Sequence, residues 1–221
     1  MVADISSFAD LTDLKLLKTT LDPSIFPYIP IDIEVHKGFA EEHAKCDFVL
    51  SPYACPLLVL IAIALCRTAA LVLQAVQSLL RMHPGAMVTV IGHSLGAALA
   101  LLDGLRLRLV LAPTTVVRVI GYGMPRVGNQ AFASFVDGIL PNLVKHINNK
   151  HDPIPIVPAM SIGFRHVSGE IHIQETGQWI VCPYEDNPDP RCIVGAVPSI
   201  FQATFSDHSG PYNHIMLKCD I

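Results

Sequence analysis

No excess of basic charge runs through this chain. Its 15 Lys and Arg stand against 19 Asp and Glu, for a formal net charge of −4, and its pI is near 6.2. A nucleic-acid binder needs a basic face, so that class is excluded. The first residues, Met1-Val2-Ala3-Asp4, lack the basic start and apolar core of a secretory leader. The apolar run Pro56–Leu65 is about half of the roughly 20 residues that a membrane-spanning helix needs. It reads as a buried or misplaced hydrophobic segment, and no transmembrane span is expected. No set of His, Cys and acidic residues has the compact spacing of a metal site, and no motif calls for a cofactor. Repeats and low-complexity linkers are also missing. What is there is an alternation of strand-like and helical stretches. It predicts a single α/β domain over 1–221 with one mostly parallel sheet.

The most informative stretch is Val88-Thr89-Val90-Ile91-Gly92-His93-Ser94-Leu95-Gly96-Ala97-Ala98-Leu99-Ala100. A β-branched run ends at Gly92, and a helix-forming run starts after Gly96. Between them Gly92-x-Ser94-x-Gly96 has the pattern of a nucleophile elbow. A serine on so sharp a turn is held exposed above the sheet. Glycines two residues away let strand and helix approach. The N–H of Leu95, at the helix N-terminus, points where an oxyanion would form. Without a chemical role, the same residues would make only a tight turn.

A serine hydroxyl needs a histidine to take its proton and a carboxylate to orient that histidine. In hydrolases with this elbow the chain order is Ser, acid, His. Asp103 lies in the helix after the elbow and is read as facing away. Asp137 sits in another helical segment. Asp152 follows the strand-like Leu143–Asn149 and precedes Pro153-Ile154-Pro155. That is a strand's carboxyl end, where open α/β sheets carry ligand groups; its plain alternative is an Asp-Pro turn former. Among later histidines, His166 and His172 fall in a predicted β-hairpin turning at Ser168-Gly169 and read as ordinary strand residues. His208 lies in the polar loop Ser206–Tyr212, and His214 is the runner-up.

The chain at this point resembles the fungal class 3 lipases, secreted triacylglycerol hydrolases of the α/β-hydrolase fold. Five motifs in order carry the likeness. They are Val35-His36-Lys37-Gly38-Phe39, Gly92–Ala100, Tyr122-Gly123-Met124-Pro125-Arg126-Val127-Gly128-Asn129, Asn148–Pro155, and Asp207-His208 through Tyr212. The resemblance implies a triad of Ser94, Asp152 and His208, and so favours His208 over His214. It gives His36 and Arg126 structural roles at the sheet ends. It also implies a lid helix near Ser7–Leu17, where Phe8, Leu11 and Leu14 recur at helical spacing and Ser7 can cap the start.

Two departures from the family pattern stand out. The family has a strand before the lid, ending in a Gly-Thr or Gly-Ser pair that supplies a second oxyanion donor. Met1–Ile5 hold no such pair, which suggests an N-terminally truncated chain with its first strands missing. Ser6 or a nearby backbone N–H is the substitute at hand. The second departure is the segment Cys46–Cys66. It interrupts what reads as one amphipathic helix running from Glu41–Lys45 into Arg67–Val76, and its one charged residue is Asp47. Translated intron sequence would explain it. It also explains part of the mean hydropathy of +0.46. As written, the chain is expected to fold marginally.

Cys182 and Cys192 bracket the polar turn Pro183–Arg191 and predict a loop-closing disulfide, worth about 2–4 kcal/mol. Cys46, Cys55 and Cys66 belong to the interrupting segment. The family partner of Cys219 would lie before this chain begins, leaving it unpaired. The resemblance implies a secreted, monomeric serine carboxylester hydrolase acting on acylglycerols at a lipid–water interface. The alternatives are an esterase for soluble or aromatic acyl esters on the same scaffold and a non-catalytic, truncated lipid-binding product.

Overall fold

The computed structural model describes residues 17–44 and 68–217. The lid segment up to Leu16, Ser6, Cys46–Cys66 and Cys219 lie outside the described residues. Strands β3 (Val88–His93), β4 (Val117–Tyr122), β6 (Val144–Asn149), β8 (Glu170–Ile173) and β9 (Trp179–Val181) form one sheet in the order β3-β4-β6-β8-β9. The first four are mutually parallel and β9 is antiparallel to β8. The mostly parallel sheet read from the alternation is therefore present.

A second sheet was not legible. Strands β1 (Lys18–Thr20), β2 (Glu34–His36), β5 (Gly128–Asn129) and β7 (Phe164–Arg165) pair antiparallel in the order β1-β2-β5-β7. Two- and three-residue strands are too short to show an alternating pattern. The same sheet corrects the predicted hairpin at Ser168-Gly169. β7 pairs with β5, while β8 pairs with β6 and β9, so the two never meet as partners. His166 lies between β7 and β8, outside any strand; His172 lies in β8.

Helix α1 spans Lys37–Ala44, α2 Thr68–Met82, α3 Leu95–Val110, α4 Gln130–Ile139 and the single turn α5 Ile193–Ala196. α3 packs against β3 and β4, and is apolar nearly all round. Ala97, Ala98, Leu101, Leu102 and Leu105 are each at most 1% exposed. A helix without a polar face belongs in a core, and this one roots the elbow in the best-packed part of the molecule. Leu73, Val76 and Leu80 of α2 pack on the same core. Asn129 caps α4 by accepting the Phe132 N–H at 2.9 Å, while its amide donates to the Asp32 carbonyl at 2.8 Å. One side chain thus joins the helix start to the approach of β2.

Asp103 does face away from the elbow: it meets His43 of α1 at 3.1 Å, both side chains buried. Asp137 of α4 accepts the Ser168 N–H and hydroxyl. Arg126, 2% exposed, pairs with Asp186 at 2.8 Å and donates to the carbonyls of Ile156 and Pro158. This is a structural role, as the resemblance implied. Cys182 and Cys192 form the expected disulfide, closing the loop that carries Asp186.

Candidate active site

β3 ends at His93, and α3 starts at Leu95, so Ser94 alone turns the chain. Its φ of 57° and ψ of −131° lie outside the ordinary regions for a side-chain-bearing residue, a cost of about 1–3 kcal/mol that the packing on both sides must hold. A Cβ on Gly92 would lie 2.1 Å from the Gly96 carbonyl oxygen, so only glycine fits there. Gly96 differs from expectation: a Cβ there would meet nothing within 4 Å. Close approach of strand and helix rests on the first glycine of the pattern. The Ser94 N–H continues the sheet by donating to Tyr122 O at 2.9 Å, and its side chain makes no capping bond. Leu95 opens α3, where the first N–H groups have no partner within the helix.

Asp152 stands three residues past β6, fully buried. Its two carboxylate oxygens make different contacts. Its Oδ1 accepts the Ile154 N–H at 2.8 Å, which is the turn-forming role. Its Oδ2 lies 2.9 Å from His208 Nδ1. An ionised carboxylate only accepts, so Nδ1 carries the proton and donates. His208 Nε2 is then the basic nitrogen. It is buried and, among the described residues, has no hydrogen-bond partner. His214 lies exposed in the turn between Tyr212 and Ile215.

What links the pair to Ser94 is the end of β4. In the parallel register His93 sits beside Tyr122 and Tyr122 beside Ile147. The next residues along, Ser94 and Gly123, leave the strands side by side. Gly123 has φ 53°, and a Cβ on it would lie 2.7 Å from Asp152 Oδ2 and 2.9 Å from His208 Nδ1. The missing side chain is the space that the pair occupies. His93, next to Ser94, stacks on the His208 ring at 4.5 Å.

His208 itself sits on the 3₁₀ turn Phe205–Ser209. Asn149 donates to Asp207 O at 2.9 Å, Thr204 N–H to His151 O at 2.8 Å, and His151 N–H to Asp207 Oδ2 at 3.2 Å. The turn is thereby tied to the end of β6. His151, Glu175 and Asp207 also offer ligand atoms within 4.8 Å of one another. His151 and Lys150 already pair with Glu175 there. The other such group among the described residues, Glu170 with Cys182 and Cys192, has its sulfurs in the disulfide.

A buried polar layer around β6 and β8 has no local signature in the sequence. His146 stacks on His166 at 4.5 Å and 7°, and the two donate to the carbonyls of Val167 and Pro155. Burial pulls His146 down to about 4 and His166 to about 3. Burial also pushes Glu170, which accepts the Ile193 N–H at 2.7 Å, up to about 7. Unfolded, these groups titrate near 6.5 for the histidines and 4.5 for the glutamate. Between about pH 4.5 and 6.5 the unfolded chain binds more histidine protons than the folded one, so stability rises with pH. Glu170 opposes this, because the folded state keeps a proton that the unfolded state has released. Two histidines outweigh one glutamate, so a net rise is expected. Glu170→Gln keeps an acceptor for Ile193 and removes the opposing slope. Urea denaturation from pH 4.5 to 7 should show a steeper rise for this variant than for the parent. Equal slopes would mean that Glu170 does not titrate in that window.

A parallel sheet with a buried helix rising from a glycine-flanked serine elbow defines the α/β-hydrolase fold. Residues 8–162 match the family described as lipase (class 3). A secreted mono- and diacylglycerol lipase 3 of Gibberella zeae is 34% identical over 146 residues, covering 63% of this chain and 46% of that protein. A secreted mono- and diacylglycerol lipase of Malassezia restricta is 39% identical over 132 residues, covering 59% and 42%. Among solved structures, lipase II from Rhizopus niveus is similar with a TM-score of 0.71 at 28% identity, over 95% of this chain and 67% of that one. The chain belongs to the class 3 lipase family. It spans less than half the length of the two relatives named from Gibberella and Malassezia.

Proposed function

We propose that the chain is a serine carboxylester hydrolase acting on acylglycerols, with Ser94 as nucleophile, His208 as general base and Asp152 as the group that orients it. One observation carries the reading. His208 has its Nδ1–H engaged by Asp152 and its Nε2 buried without a partner, beside the strand end that bears Ser94. A buried basic nitrogen left unpaired costs about 1–3 kcal/mol, and a serine proton is what it would take.

The mechanism follows from these atoms. His208 Nε2 removes the Ser94 hydroxyl proton as Oγ attacks the ester carbonyl. The Leu95 N–H, at the positive end of α3, stabilises the oxyanion. The imidazolium then protonates the leaving alcohol, and an acyl-enzyme remains. Water, deprotonated by the same nitrogen, attacks the acyl carbon, and Ser94 leaves with the proton restored. Both steps use groups of a single chain, read as one domain over 1–221 acting as a monomer. A fluorophosphonate tests the assignment: its adduct should map to the peptide holding Ser94 and to no other serine. Labelling elsewhere would refute the nucleophile.

The relatives from Gibberella and Malassezia are named as secreted mono- and diacylglycerol lipases, and we extend both properties to this chain. The lipid–water interface, as against a soluble ester, is favoured by the stretch that leads into His208. From Cys192 to Ser206 there is no charged residue, and Phe201 is 95% and Phe205 49% exposed. An aromatic ring as exposed as that of Phe201, in an uncharged stretch beside this turn, suits an oil surface better than water. Phe201→Ser is expected to lower turnover of emulsified tributyrin about tenfold and leave hydrolysis of a soluble short-chain ester within about twofold. Equal losses on both substrates would favour the esterase reading.

A further inference from the structure

We propose that His93, the residue between Gly92 and Ser94, is a positioning residue that holds His208 in register with the nucleophile. The inference rests on the triad reading above. His93 Nε2–H donates to the backbone carbonyl of His208 at 2.8 Å. Its ring stacks on the His208 ring at a centroid distance of 4.5 Å and 29°. The one contact anchors the main chain of the turn; the other fixes the plane of the ring.

The need for such a hold is physical. His208 lies on a short 3₁₀ turn, not on the sheet. Its bond to Asp152 restrains one nitrogen and leaves the ring free to pivot about that contact. His93 belongs to β3, paired residue for residue with β4, so it transmits the rigidity of the sheet. It also neighbours Ser94 in sequence, so nucleophile and hold share one strand end. Tyr212 completes the clamp. Its hydroxyl donates to the same His208 carbonyl at 3.3 Å, its ring meets His93 edge-on at 6.2 Å, and it meets Tyr122 edge-on at 5.3 Å.

The charge state of His93 agrees with this role. During acylation His208 becomes a cation. A neutral imidazole stacked on an imidazolium is tolerable, and a second imidazolium is not. Burial, followed by the nearby charge of His208, holds His93 below the usual histidine range. The donor bond to the carbonyl keeps the proton on Nε2.

Three variants test it. His93→Phe keeps a ring to stack and loses the donor. His93→Gln keeps a donor and loses the ring. His93→Ala loses both. On a soluble ester kcat is expected to fall about 100-fold for alanine and about tenfold for each of the others, the scale of a misplaced catalytic group, with KM within about twofold. The His208 Nδ1–H, bonded to Asp152, is expected to give a downfield proton resonance in the parent. It should broaden in the alanine variant and be partly recovered in the other two. The proposal is overturned if kcat and the resonance are unchanged, or if kcat falls only as far as the unfolded fraction rises. Should the alanine variant fail to fold, the graded pair decides alone. Absence of fluorophosphonate labelling in the parent would instead sink the triad reading, while the resonance still reports whether His93 places the His208 ring.

Discussion

Replacing Ser94 with alanine is expected to abolish fluorophosphonate labelling and to lower ester hydrolysis by about 10³-fold or more, with the fold intact. The chemical part follows from the mechanism: without Oγ there is no acyl-enzyme, and only water orientation and oxyanion binding remain. The structural part follows from what Oγ does not do. The Ser94 side chain makes no capping bond to α3, so its loss frees no helix donor that was satisfied before. Serine and alanine both carry a Cβ, so the strain at φ 57° is the same in each. The midpoint of urea denaturation should therefore move little while turnover vanishes. Retained turnover in soluble, folded Ser94→Ala would end the assignment. So would a large stability loss that accounted for the missing activity.

His208→Ala is expected to lose three or more orders of magnitude in kcat, because triad members act as a unit. His214→Ala, six residues on, should lose almost nothing. The contrast arises from position. His208 meets fully buried Asp152 at 2.9 Å, whereas His214 is exposed on the turn beyond Tyr212. His208→Ala also strips Asp152 Oδ2 of its donor, which should cost about 1–3 kcal/mol of stability. His214→Ala should stay within about 0.5 kcal/mol of the parent. Measuring kcat and urea midpoints on both variants checks the pair. The reverse ranking in kcat would move the general base to His214.

The elbow was legible because its physics is local. A β-branched run, a glycine that admits no side chain and a helix-forming run lie within one short stretch, and short-range sterics decide the turn. Asp152 was legible for a similar reason, since a strand pattern broken by Asp-Pro marks a strand end. His208 was harder. Several histidines follow Asp152, and no local pattern says which returns to it; the family resemblance favoured one, and the path of the chain brings it to the carboxylate. The reading of Gly96 as a steric requirement failed, since the contact it was to relieve is made by Gly92 alone. The hairpin at Ser168-Gly169 failed because a turn signal states that the chain reverses and not which strands then pair. β7 found β5 and β8 found β6, through partners far away in sequence.

By itself the sequence determined the class of fold, the strand–elbow–helix unit, the carboxylate at the end of β6 and the disulfide that closes 182–192. The last three depend on neighbours close in sequence, and the first on the alternation of strand-like and helical stretches along the chain. Tertiary structure alone decided the second sheet, the stacked His146 and His166, the burial that drives Glu170 up to about 7 and the clamp of His93 and Tyr212 on His208. Those depend on which distant segments share a dry interior, where an unpaired charge is costly and only certain pairings survive. That cost is set by packing around a residue, and packing is a property of the folded chain.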